Sequence, residues 1–178
     1  TYGAAEPEDP PKPGWLLAEK GASLYYSDIP WDEEHPMEQT SYYVWRLCWM
    51  WNQEADVDWQ TAYSHPQVDA GWFYPADEYE SLVTQYFPVT AEYLRQSELY
   101  RADLGGYNLP GGGGIGMTPW IILDRAEGNE EADGSLAVQL HVTLAFDTNH
   151  LEQNTYWILS ARVQPDGSFQ YTGWQEDP

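Results

Sequence analysis

The segment SLAVQLHVTLAF, residues 135–146, constrains the fold more than any other part of the chain. Leu136, Val138, Leu140, Val142, Leu144 and Phe146 alternate without a miss with Ala137, Gln139, His141, Thr143 and Ala145. Successive side chains of a strand point to opposite faces, so this pattern predicts a β-strand with one side on a core and the other in wetter surroundings. Such a strand needs partners. TPWIILDRA before it and YWILSARVQ after it read as strands, and the acidic EGNEEADG joins the first pair. Asp166-Gly167 then makes a tight turn into a fourth strand, SFQYTGW. Short turns between consecutive strands predict a four-stranded antiparallel meander sheet, beginning near residue 117.

The half before it, to about residue 101, has helical periodicity. Thr40, Tyr43, Val44, Leu47, Cys48 and Trp51 fall on one stripe behind Pro36, which is suitably placed for a helix start. Trp45 and Trp49 lie off that stripe, so the helix is apolar nearly all round and is expected to be buried on several sides. His65-Pro66 and Gly71-Trp72-Phe73-Tyr74-Pro75 read as a loop. A second helix follows Pro75, with Asp77 and Glu78 in its first turn, where the helix dipole favours acid. Its buried face is Tyr79, Leu82, Val83, Tyr86 and Phe87, and Pro88 ends it. A third short helix is predicted from about Thr90 to Tyr100. Helices first and strands afterwards predict an α+β fold, with the helices packed on one face of the sheet.

Length and charge bound the rest. The 178 residues suit one domain, here 15–178, after a Pro-rich, acidic opening at 1–14 that reads as an extended tether. Starting at Thr1 rather than Met is what a removed signal or lipoprotein segment would leave, so the expected location is extracellular or anchored at the cell surface. Membrane attachment is expected only through such a removed N-terminal anchor. The run SYYVWRLCWMW is interrupted by Arg46 and too short to span a bilayer. With 29 acidic residues against 7 Lys plus Arg, the formal charge of −22 repels phosphates and excludes a nucleic-acid or anionic-membrane surface as the main partner. Cys48 stands alone between Leu47 and Trp49, which suggests a buried small hydrophobe and rules out an internal disulfide.

The run YNLPGGGGIGMTPW contains Gly111, Gly113 and Gly116 in the G-x-G-x-x-G spacing of a dinucleotide loop. That loop requires a strand before it and a helix N-terminus after it, and here the order is reversed. Gly111, Gly112, Gly113 and Gly114 therefore read as a mobile connection or a lid over a pocket. No cofactor is implied.

Ten Trp and fourteen Tyr are the most unusual part of the composition. Trp45 and Trp49, spaced i, i+4, would form one platform for a sugar ring or else serve the core. Trp72, Phe73 and Tyr74, in their predicted loop, are the expected exposed binding residues. On the polar face of the central strand, His141 reads as a base, a metal ligand or a hydrogen-bonded surface group, with Arg162 approaching from the next strand. No acid is evident beside the pair. His150 with Asp147 and Glu152 matches no metal-ligand spacing, and Glu127, Glu130, Glu131 and Asp133 lack a calcium-loop ladder, so no metal site is assigned. Neither G-x-S-x-G nor a Cys–His pairing is present, so no catalytic residue is assigned.

The phrases YFPVTAEYLRQSELY, GGYNLPGGGGIG and PDGSFQYTGW, spread over residues 38–174, resemble uncharacterised secreted proteins and lipoproteins of Gram-positive bacteria. The layout as a whole resembles the cystatin-like and NTF2-like α+β folds. That resemblance implies a cell-surface location and a pocket between sheet and helices, and it implies no reaction. The leading expectation is a non-enzymatic domain that binds a glycan, a cell-wall fragment or a protein through Trp72, Phe73, Tyr74, His141 and Arg162. A small NTF2-like enzyme with a polar pocket around His141 and Arg162 is the alternative, and a structural spacer in a larger surface protein is a third. Oligomeric state is not legible in the sequence.

Overall fold

The computed structural model describes residues 29–54, 56–109, 120–145 and 153–178. The tether at 1–14, Gly111 to Gly114, Phe146, and the His150, Asp147 and Glu152 group lie outside the described residues. Among the described residues the helices are α1 (Gln39–Gln53), α2 (Trp59–Ala62), α3 (Ala76–Tyr86) and α4 (Ala91–Leu94). The strands are β1 (Trp31–Asp32), β2 (Trp72–Pro75), β3 (Tyr100–Arg101), β4 (Gly106–Leu109), β5 (Trp120–Glu130), β6 (Leu136–Ala145), β7 (Thr155–Val163) and β8 (Phe169–Glu176). The fold is α+β, with few helices and two antiparallel sheets.

The larger sheet has five strands rather than four, in the order β1-β8-β7-β6-β5. Alternation along β6 holds on the core side, where Val138, Leu140, Val142 and Leu144 are buried, but His141, Thr143 and Ala145 on the side expected to be wetter are buried too. Cross-strand pairing carries that face across to Trp157, Leu159 and Ala161 on β7. It continues on β8 with Tyr171 and Trp174, and Trp157 and Trp174 lie parallel with centroids 4.8 Å apart. The unexpected member is β1, which pairs Trp31 with Trp174 and Asp32 with Gly173. The β5–β6 turn is tighter than expected. Strand pairing runs to Glu130, and the turn closes through Glu131 N–H to Ser135 O at 2.8 Å, with Gly134 in the left-handed region at φ 85°.

Helix α3 is amphipathic as predicted. Tyr79, Val83 and Tyr86 are buried, with Asp77 and Glu78 in the first turn. Its C-terminal end lies on β8, where Tyr86 meets Phe169 at 5.3 Å and Phe87 meets Tyr171 at 5.4 Å. Helix α1 packs behind α3, but its buried face is rotated from the expected stripe. Trp45 is fully buried and Trp51 is 41% exposed. The reason is aromatic: Phe87 presents its edge to Trp45 at 5.0 Å, and Tyr86 stands 5.5 Å away. Cys48 is buried, as expected.

The smaller sheet, in the order β2-β4-β3, replaces the predicted loop at Trp72 to Pro75 and shortens the predicted third helix. Helix α4 is a single turn capped by Thr90, whose Oγ1 accepts from Tyr93 N–H at 3.2 Å. It stops because Ser97 Oγ takes Leu99 N–H and Asn108 N–H takes Leu99 O, which turns the chain into β3. Gly106 is what lets β4 lie against β2. A Cβ there would stand 2.3 Å from Tyr74 O and 2.5 Å from the Phe73 ring. No helix among the described residues is long and apolar enough to cross a membrane.

Candidate functional site

Pairing with β4 covers the expected binding aromatics. Phe73 and Tyr74 are buried rather than exposed. The Tyr74 ring packs against Tyr63 at 4.7 Å and Tyr43 at 5.5 Å, and its hydroxyl points at Met50 Sδ, 3.3 Å away. Phe73 lies against His65 at 4.8 Å. Trp72 is half-buried, and its carbonyl accepts from Tyr43 Oη at 3.0 Å. The triplet joins the small sheet to α1 and does not form an exposed patch.

Those buried rings instead support a polar recess of about 340 Å³ between α1, the segment after it and α3. It is lined by Arg46, Trp49, Glu54, Tyr63, Glu78, Ser81, Leu82 and Gln85. Arg46 interrupts the apolar run of α1 and is only 3% exposed. An ionised side chain at such a depth needs an opposite charge and hydrogen bonds. Its Nη2 donates to Glu54 Oε1 at 3.2 Å and to Tyr63 Oη at 3.0 Å, and Tyr63 Oη donates to Glu54 Oε2 at 2.5 Å. The guanidinium carbon stands 5.2 Å from the Tyr63 ring centre and 4.7 Å from that of Tyr74. Nε and Nη1 are fully covered and have no hydrogen-bond partner among the described residues, so the two ring faces are what stabilise that side of the cation. Burial first, then the bond to Glu54, holds the Tyr63 phenol above its ordinary value. The opposite wall is apolar. Half-buried Trp49 is backed by Tyr86 at 4.9 Å and Trp45 at 5.4 Å, with Leu82 beside the recess. Glu78, Ser81 and Gln85 are exposed at the rim, spaced along α3 so that they share one face. Of the Trp45 and Trp49 pair, therefore, one ring is core and one is wall.

His141 lies on the opposite side of the large sheet from the aromatic core, and its surroundings differ from the expected ones. Arg162 does not approach it. Arg162 pairs across the sheet with Ala137, four residues or about 13 Å along β6, and its Nη1 meets Glu33 Oε1 at 3.2 Å. An acid does approach: Asp177, just past the end of β8, places Oδ2 2.9 Å from His141 Nδ1. Arg125 Nη2 stands 3.2 Å from Nε2, and Glu127 Oε2 is 3.7 Å from the same nitrogen. A bulge between Leu123 and Arg125 produces this cluster. One extra residue turns both Asp124 and Arg125 to the His141 face, and Asp124 Oδ2 accepts from Thr143 Oγ1 at 2.5 Å. Both imidazole nitrogens are occupied, Nδ1 by Asp177 and Nε2 by Arg125.

A third polar group is structural. Glu80, buried in α3, receives Arg95 Nε at 2.6 Å and Nη2 at 2.8 Å, and Tyr107 Oη at 2.8 Å. Both oxygens of this carboxylate accept from donors, which ties α3 to the end of α4 and to β4. Asp133 is likewise spent inside its turn, accepting from Ser135 N–H at 2.9 Å and Ser135 Oγ at 2.5 Å. No group of three or more metal-ligating side chains occurs among the described residues.

The molecule is thus an α+β domain with an aromatic-walled polar recess on its helical side and a histidine–carboxylate cluster on the far side of its sheet. Its sequence matches a family of unknown function, DUF6070, over residues 20–175, and the chain belongs to that family. No curated protein and no solved structure matches it.

Proposed function

We propose that the protein is a non-enzymatic binding domain of the cell surface or extracellular space, and that it takes the end of a glycan or cell-wall fragment in the recess beside Arg46. The observation that carries this reading is the division of the recess into two walls: one half-buried indole, and one array of hydrogen-bonding groups held rigid from behind. Sugars present an apolar ring face and a rim of hydroxyls, which calls for that pairing of surfaces. The volume is at the low end for ligand sites, which suits a terminal unit rather than a long stretch of chain. Extracellular placement is supported by the acidic composition and the Pro-rich opening, and a cystatin-like or NTF2-like assignment by helices packed against an antiparallel sheet.

Thermal unfolding in the presence of soluble glycans and muropeptides tests the reading. A ligand of the folded state at about a hundred times its Kd stabilises by about 2.7 kcal/mol. The expected result is an upward shift with at least one saccharide that Trp49→Ala abolishes. A shift that survives Trp49→Ala refutes this location, and no shift with any saccharide refutes the ligand class.

A second reading rests on the 2.9 Å contact between His141 and Asp177, the arrangement an NTF2-like enzyme would use for a general base. It ranks second because Arg125 occupies the nitrogen that would receive the proton, and neither Trp49 nor the recess is near. Product release from the same glycans, lost in His141→Gln, would put this reading first.

A further inference from the structure

Charge at the recess goes further and names the kind of saccharide. This step rests on the glycan reading above. Arg46 is the cation among the lining residues, and its charge is already answered by Glu54 at 3.2 Å and covered by two tyrosine rings. Glu78 is the other carboxylate of the lining. It is exposed at the rim, and no cation pairs with it among the described residues. The recess therefore presents, beside the Trp49 indole, one carboxylate that has no side-chain counter-ion among the described residues, on a chain of net charge −22. An anionic ligand is repelled there, and a neutral one leaves Glu78 without a partner. An ammonium group satisfies both surfaces, since its three N–H donors suit a carboxylate and its charge suits the face of Trp49.

We infer that the recess selects a saccharide bearing a free amine, an unacetylated amino sugar, with the ammonium between Glu78 and Trp49 and the hydroxyls toward Ser81, Gln85 and Glu54. Acetylation removes the charge and adds bulk where the carboxylate sits, so the acetylated sugar is the disfavoured form. De-N-acetylated stretches of an amino-sugar polymer are then the natural target.

Calorimetric titration of the full chain with glucosamine oligomers and with N-acetylglucosamine oligomers of the same length, at physiological salt, tests this. The expected result is tighter binding of the glucosamine oligomer. Glu78→Gln should weaken that binding about three- to fivefold, as for an exposed ion pair, and leave binding of the acetylated oligomer unchanged. Glu131→Gln, a charge-matched change in the β5–β6 turn, should do neither and so separates the site from general attraction to an acidic protein. Equal binding of the two oligomers, or equal effects of the two substitutions, overturns the inference and leaves the glycan reading standing. Preference for the acetylated oligomer does the same. Binding of neither oligomer, with binding of a lysine peptide that Glu78→Gln weakens, overturns both.

Discussion

Raising the pH should unfold this protein abruptly, and the structure sets the steepness. Tyr42, Tyr43, Tyr74, Tyr79, Tyr107 and Tyr171 are all fully buried. Burial is the main cause that pushes each of their phenols far above the ordinary value. A folded-state pKa that is raised contributes stability which is complete below the unfolded pKa and is lost as pH climbs past it. The unfolded chain begins to release these protons near pH 10 while the folded chain keeps them. Each such tyrosine then costs about 1.4 kcal/mol of stability per pH unit. Six acting together cost about 8 kcal/mol per unit, against a typical total of about 5–15 kcal/mol for a domain. The fold should therefore be lost within about one to two units above pH 10. Tyrosinate absorbance and far-ultraviolet circular dichroism, followed together through an alkaline titration, check this. The buried set should ionise in one step that coincides with loss of the dichroism signal. Gradual ionisation of that set while the signal stays native would refute the argument, because it would mean that the rings are reached by water without unfolding.

Other expectations concern single side chains. Gly106→Ala should destabilise by about 3 kcal/mol or more in urea unfolding, because the new Cβ collides with the backbone carbonyl of Tyr74 and neither strand is free to move. Arg46→Ala should cost about 3–5 kcal/mol, since it leaves the half-buried Glu54 carboxylate without its cation and opens a space beside two tyrosine rings. Glu80→Ala should cost about 2–3 kcal/mol by the same measurement, the Arg95 guanidinium being part-exposed and Tyr107 losing its acceptor. Burial pushes the Cys48 thiol up to about 11, so a thiol reagent at neutral pH should react slowly with the native protein and rapidly in denaturant.

What the sequence disclosed followed the length and regularity of each element. The alternation in β6 and the apolar spacing of α3 extend over ten or more residues, enough for periodicity to name both the element and its buried face. The small sheet had no such support. Its strands are two to four residues long and the partner of β2 lies more than thirty residues away, so Trp72 to Pro75, flanked by Gly71 and ending in a proline, carried the marks of a loop. Covering that segment is also what turned Phe73 and Tyr74 from expected contacts into core. The recess was legible only in one respect. An arginine inside SYYVWRLCWMW is a buried charge in need of an acid, and Glu54 stands eight residues on. Nothing local announces that Tyr63 and the rim of α3 complete the group, because separate segments of the chain meet there. His141 was visible as a polar residue on a strand face, but its neighbours depend on a bulge in β5 and on how far the chain continues past β8, and neither leaves a periodic trace.

The pairing of β1 with β8 sets a schedule for folding. Trp31 pairs with Trp174, and Tyr86 and Phe87 are covered by Phe169 and Tyr171. During synthesis α1 and α3 emerge well before β8, so Tyr86 and Phe87 lack the cover of Phe169 and Tyr171 until β8 has left the ribosome. The aromatic wealth that makes the finished core so dense is thus a hazard for as long as the chain is incomplete. A product cut short before β8 should be captured by chaperones or aggregate, whereas one that includes β8 can complete its sheet.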